Sequence, residues 1–204
     1  MKTNYQIIME EIINNLKGKP KLLLHACCGI CSSSVLEKLT PFFDITVLYY
    51  NPNIYPKKEF EKRLKTLKEL IDKTNSKIKI KVPPYNEEEF NTIAKGLEKQ
   101  KEGEERCTKC YLLRLDKTAQ IAKENNYDYF CTTLSVSPYK NSQKLNKIGK
   151  ILEQKYNINY LYSDFKKKDG FKRSNELSKK LGLYRQNYCG CKYSLKEINN
   201  ELWG

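Results

Sequence analysis

Eight cysteines lie in this chain of 204 residues, and seven of them fall into three short groups. Cys27, Cys28 and Cys31 share the stretch LHACCGICSSS, Cys107 and Cys110 form a C-x-x-C pair, and Cys189 and Cys191 form a C-x-C pair. Cysteines two apart on a turn can direct both sulfurs at one metal atom. A pair from the first group together with Cys107 and Cys110 makes four thiolates, which suit a zinc ion or an iron–sulfur cluster. Spacing alone does not separate the two metals. Adjacent cysteines are rare in structural zinc sites, and the thiols exceed the needs of one tetrahedral ion, which leans toward iron. Dithiol redox chemistry at Cys28-x-x-Cys31 alone leaves the other two groups unexplained.

Counting removes two neighbouring chemistries. The C-x-x-x-C-x-x-C pattern of radical-SAM enzymes starts at Cys27 and Cys31 but meets Ser34 at its third position. The nucleotide-cleaving PP-loop enzymes carry Ser-Gly-Gly-x-Asp-Ser after their first strand; here that loop holds one glycine, Gly29, and no aspartate. A phosphate cradle needs several close backbone approaches, so ATP use is unsupported. His25, the single histidine, reads as a strand-end residue satisfied by backbone rather than a proton donor. Cys131, alone in an expected strand, reads as a small buried apolar residue.

The elements that must position these groups follow from periodicity. KLLLHA (21–26), FDITVLYYNPN (43–53), KIKIKVPP (77–84) and YDYFCTTL (127–134) read as strands, and 57–74, 86–98, 109–126, 141–156 and 173–181 as helices. SSSVLEKL (32–39) reads as a helix with a serine cap, 107–110 as part of a loop, and Ser194 as the start of a last helix. Strands alternating with helices imply an α/β, Rossmann-like (HUP/PP-loop-like) parallel sheet flanked by helices, with an added helical, cysteine-bearing C-terminal segment. Residues 1–20 read as an N-terminal helical extension and 21–204 as a single domain. In such sheets ligands bind beyond the carboxyl ends of the strands. One rim then gathers Cys27 and Cys28, Asn51 and Asn53, and Thr132 to Ser137.

Lys and Arg number 38 against 24 Asp and Glu, a formal excess of 14. Nucleic acid is the first partner such a balance suggests, although a lysine-rich codon bias produces the same excess. No run is long enough to span a bilayer, and Glu10, Glu11 and Asn14 interrupt any secretory signal. A cytoplasmic protein with reduced thiols is the expectation.

The motifs LHACCGICS, YYNPNIYPKKEFEKR, ERCTKCYLLRL, TTLSVSPYK and DFKKKDGFKRSNELSKKLGLYRQNYCGC together resemble the QueH family of epoxyqueuosine reductases, over about residues 21 to 194. The resemblance implies reductive loss of the epoxide oxygen from epoxyqueuosine at the tRNA wobble position, giving queuosine. It implies a [4Fe–4S] cluster beside a mononuclear iron, without cobalamin, and an external electron donor. On that basis Cys27, Cys28, Cys107 and Cys110 are expected at the cluster and Cys31 at the second iron. Cys189 and Cys191 are expected to act in redox or proton transfer, since a C-x-C disulfide closes a strained, reducible ring.

Asn51, Asn53, Arg114, Lys140, Arg185 and Gln186 are the expected substrate-binding residues. Arg63 and Lys166–Lys168 are available to the tRNA backbone, and Tyr49, Tyr50, Tyr139 and Tyr188 to base stacking. Two other readings compete: a PP-loop-like tRNA-thiolating protein without its nucleotide motif, and a zinc-stabilised nucleic-acid-binding module.

Overall fold

The computed structural model describes residues 2–74 and 77–196. Five parallel strands, β1 (Lys21–His25), β2 (Asp44–Leu48), β3 (Lys79–Lys81), β4 (Tyr129–Thr132) and β5 (Asn159–Tyr160), form one sheet in the order β3-β2-β1-β4-β5. β1 pairs with β2 on one side and β4 on the other, with Leu24 opposite both Val47 and Cys131. This is the expected Rossmann-like arrangement. The strand order reverses at β1, so a crevice opens beyond the carboxyl ends of β1 and β4. β5 is a two-residue strand to which the sequence reading assigns no element.

The apolar run of β1 is explained by cover on both faces. Leu22 and Leu24 pack in one core with Val35, Leu39, Leu67 and Leu70, from α2 (Gly29–Leu39) and α3 (Lys57–Lys73). Leu23 points the other way, into a second core with Leu115, Ala119, Leu145 and Leu152, from α5 (Glu105–Glu124) and α6 (Ser142–Tyr156). Successive side chains of a strand alternate between faces, and each leucine so buried contributes about 1.5–3 kcal/mol.

α1 (Tyr5–Asn14) packs Met9 and Ile13 into the first core. α4 (Glu87–Ala94) precedes α5, and α7 (Gly170–Lys180) lies against α2. Residues 192–196 are helical, two positions earlier than expected; the remainder of that expected helix, from 197, lies outside the described residues. Among the described residues no helix is long and apolar enough to cross a membrane.

Two boundaries change the reading of the thiol groups. α2 begins at Gly29 and is capped by Cys28, whose sulfur accepts the Cys31 N–H at 3.4 Å. The expected serine caps lie inside the helix, where Ser32 Oγ donates to the Cys28 carbonyl at 2.7 Å and Ser33 Oγ to that of Ile30 at 2.8 Å. α5 begins at Glu105, so Cys107 and Cys110 stand one turn apart on a helix and not on a loop. Buried Arg106 fastens the preceding loop by donating to the carbonyls of Leu97, Glu98 and Gln100.

Candidate metal centre and substrate cavity

A cavity of about 640 Å³ opens beyond β1 and β4. Cys27 lines it from the β1–α2 turn, Cys31 from the first turn of α2, Arg114 from α5, Ser137, Tyr139 and Lys140 from the loop after β4, and Arg185, Gln186 and Cys189 from the C-terminal segment. The Sγ atoms of Cys27, Cys28 and Cys31 all lie within 4.8 Å of one another. No disulfide forms among the described residues.

Polar groups converge on Cys28. Its sulfur takes the Gln186 Nε2 donor at 3.1 Å, the Cys31 backbone N–H, and the Cys27 thiol at 3.8 Å. The thiols of Cys27 and Cys31 and that backbone donor hold the Cys28 pKa well below the usual thiol range, against the opposing effect of burial, with Arg63 adding a favourable charge. The same bond pushes Cys27 up to about 11, and Cys31 also rises well above its ordinary value through its contacts with Cys27 and Cys28. Of the three, Cys28 is the thiol most readily ionised, and it caps a helix N-terminus that favours negative charge. Three sulfurs this close fit a thiophilic metal or an iron–sulfur cluster.

Gly29 is required at this turn. A Cβ there would stand 2.7 Å from the Thr66 carbonyl oxygen, so only glycine lets α2 start against α3.

The second and third cysteine groups meet each other. Cys110 and Cys191 pack in one small cluster with Phe90 and Ala94. Burial, helped by nearby Cys189, Cys191 and Cys107 and opposed by the charge of Arg114, pushes the Cys110 thiol up to about 12. Buried Arg114 ties the two halves: its charge is opposed by desolvation and favoured by Cys110, Cys189 and Cys27 together. Cys107 and Cys110 fall outside the 4.8 Å trio, in which Cys31 is the third member. The helical spacing of α5 sets their place.

The segment 184–191 is clamped from α3. Arg63, 1 % exposed, donates to the carbonyls of Cys189 at 3.1 Å and Tyr188 at 3.2 Å and pairs with Glu59 at 2.7 Å. A backbone contact with tRNA is thereby corrected: this guanidinium is spent inside the protein. Gly190 has φ +122°, and a Cβ there would approach Arg63 NH1 to 2.9 Å. The C-x-C pair thus needs glycine between its thiols.

Lys140 is buried beside Cys189, donating from Nζ to Cys189 Sγ at 2.9 Å and to Glu102 Oε1 at 2.6 Å. Burial opposes its charge, but Cys189, Tyr111 and Glu102 outweigh it and hold the Lys140 pKa well above its ordinary value.

Other expected residues lie elsewhere. Asn51 is buried and donates from Nδ2 to the Ala26 carbonyl at 2.9 Å, joining the ends of β2 and β1. Asn53 lines a small separate pocket with Glu87 and Asn91. Tyr49 and Tyr50 are buried and unavailable for stacking. Lys166 pairs with Asp164, and Lys168 with Glu10. His25 accepts from the Thr132 hydroxyl at Nδ1, 2.9 Å away, and donates from Nε2 to the Tyr50 carbonyl at 3.1 Å. Burial lowers its pKa to about 4, so it is a neutral structural residue, as read from the sequence. Cys131 is fully buried, 3.2 Å from the Leu161 carbonyl, also as read.

Glu102 and the α7 residues Phe171, Ser174 and Asn175 also line the cavity and were not singled out. Their i, i+3, i+4 spacing marks one helix face and is the signal that could have found the α7 set.

Comparison with known proteins gives a consistent picture. The family model described as Epoxyqueuosine reductase QueH matches residues 22–197. A protein of that name from Streptococcus pyogenes serotype M1 is 40% identical over 202 residues, covering 96% of this chain and 79% of the relative. The Staphylococcus aureus protein of that name is 39% identical, covering 98% and 90%. The Thermotoga maritima protein is 36% identical, covering 86% and 91%. Among solved structures, the U34-tRNA thiolase NcsA from Methanococcus maripaludis, described with its [4Fe-4S] cluster, aligns with a TM-score of 0.53 at 12% identity, covering 97% of this chain and 72% of that one. At that identity the likeness is one of fold.

Proposed function

The chain belongs to the QueH family of epoxyqueuosine reductases, and we propose from that premise how its own residues serve the reaction. The enzyme reduces epoxyqueuosine at the tRNA wobble position to queuosine. Converting the epoxide to an alkene takes up two electrons and two protons and releases water.

The observation that carries the reading is the meeting of Cys27, Cys31 and Cys189 on one cavity with the cations Arg114 and Lys140. Cys27, Cys28, Cys107 and Cys110 would hold a [4Fe–4S] cluster and Cys31 an adjacent iron, and metal bound there supplies single-electron transfer and a Lewis-acidic position for the epoxide oxygen. Gln186 fixes the C-terminal segment over these thiols, and Arg114 balances their charge.

Cys189 and Cys191 form the redox pair. Two thiols closing to one disulfide release two electrons and two protons, which balances the deoxygenation. An external reductant then reopens the disulfide. Lys140 keeps a proton at Nζ beside Cys189 and facing the cavity, where a departing oxygen needs one. Arg185 and Gln186 bind the modified nucleotide, and the excess of basic residues serves the tRNA backbone.

The test is reduction of tRNA carrying epoxyqueuosine by the anaerobic protein with a reductant, followed by digestion and identification of the nucleoside. Queuosine is the expected product. Its absence while the cluster is intact contradicts the reading.

A further inference from the structure

Tyr139 is 78% exposed, the most exposed large hydrophobic side chain among the described residues, yet it stands on the rim of the cavity. The exposed rings of Phe42 and Tyr55 do not line it. The backbone beneath Tyr139 is held. Ser137 N donates to the Leu134 carbonyl at 3.2 Å, and Lys140 N donates to the Ser137 carbonyl at 3.2 Å. That bond closes a turn with Pro138 and Tyr139 at its centre, and proline fixes its own φ. The next residue, Lys140, is anchored on Glu102 and Cys189. The ring is therefore presented to solvent by a rigid turn rooted in the cavity floor.

Arg185 is also exposed, also lines the cavity, and makes no hydrogen bond or ion pair with its guanidinium among the described residues. Its neighbour Gln186 is tied to Cys28. Charge on the described cavity wall is mostly cationic: beside Arg63, whose charge Glu59 already balances, Arg114, Lys140 and Arg185 face the one lining carboxylate, Glu102. A flat aromatic platform beside a free guanidinium at a cationic mouth suits a nucleobase and its phosphate.

We propose that Tyr139 stacks on a nucleobase adjoining the wobble nucleotide and that Arg185 engages the neighbouring phosphate. This rests on the tRNA-reductase reading above and adds the residues that grip the RNA outside the reacting ring.

The test titrates the full-length, metal-loaded anaerobic protein with an anticodon stem–loop RNA carrying 2-aminopurine next to the wobble position. The wild type is expected to quench the fluorophore. Tyr139→Ala is expected to weaken binding by about five- to a hundredfold and to lose the quench, whereas Tyr139→Phe keeps both. In turnover the loss falls on KM rather than kcat. Arg185→Ala is expected to reduce the slope of log affinity against log salt by about 0.7.

Binding by Tyr139→Ala within twofold of wild type, or equal losses in the Ala and Phe variants, overturns the stacking. An unchanged salt slope overturns the role of Arg185. Wild-type protein that binds and quenches without converting epoxyqueuosine contradicts the catalytic reading and supports this one. Wild-type protein that does not bind the RNA overturns both.

Discussion

Gln186 Nε2 lies 3.1 Å from Cys28 Sγ, joining two residues 158 positions apart in the chain. Through it the C-terminal segment that carries Cys189 and Cys191 is fastened to the sulfur trio at the end of β1. The amide donates to the one sulfur of the trio whose pKa is lowered.

Gln186→Leu removes that donor while keeping much of the side-chain volume. Single-turnover rates are expected to fall about tenfold or more, with iron per chain unchanged. A variant with the wild-type rate, or one that has lost its iron, contradicts the positioning role given to the amide.

Cysteine substitutions separate ligand from filler. Cys110→Ser is expected to lose cluster iron on anaerobic reconstitution, measured as iron and sulfide per chain. Cys131→Ser is expected to keep both iron and activity, because its thiol sits in β4 against the Leu161 carbonyl and Ser163. Loss of iron from the second variant would show that Cys131 belongs to the centre.

Arg63→Met leaves the largely covered Glu59 carboxylate without its cation and two carbonyls without a donor. Breaking such a pair costs about 3–5 kcal/mol, so denaturant unfolding should shift by that order. Hydrogen exchange should also quicken over residues 184–191. Unchanged exchange there means the clamp does not hold the segment.

Lys140→Met takes the cation away from Cys189. Turnover under saturating substrate is expected to drop at least tenfold, with about 1.4 kcal/mol of barrier for each factor of ten, while iron content persists. Lys140→Arg keeps the charge and should recover part of the rate. Equal activity in all three proteins contradicts a role for this proton donor.

Much of the sheet is legible in the chain because its strands are continuous apolar or β-branched runs. The 21–26 segment needs cover on both faces, which only a parallel sheet between helices provides. β5 escapes such reading because Asn159–Tyr160 is a strand only by virtue of its neighbour β4. The thiol groups are legible as clusters, but their partition is not. Cys28 replaces serine as the cap of α2, and α5 begins early enough to carry Cys107 and Cys110 on its first turns. Arg63 reads as one more cation in KKEFEKRLK; its burial depends on carbonyls 125 and 126 positions away. Asn51 and Asn53 follow a strand as site residues do, yet the Asn51 amide ties β2 to β1 and Asn53 lines a separate pocket.

The central claim is that these thiols, with metal, remove an epoxide oxygen from tRNA. Its most direct test combines two readouts on one anaerobic preparation: the absorbance of the protein near about 400 nm, where iron–sulfur centres absorb broadly, and the nucleoside recovered after incubation with epoxyqueuosine tRNA and reductant. The account predicts a brown protein and stoichiometric or catalytic queuosine. A colourless zinc protein, or an intact cluster that leaves epoxyqueuosine unchanged, would contradict it.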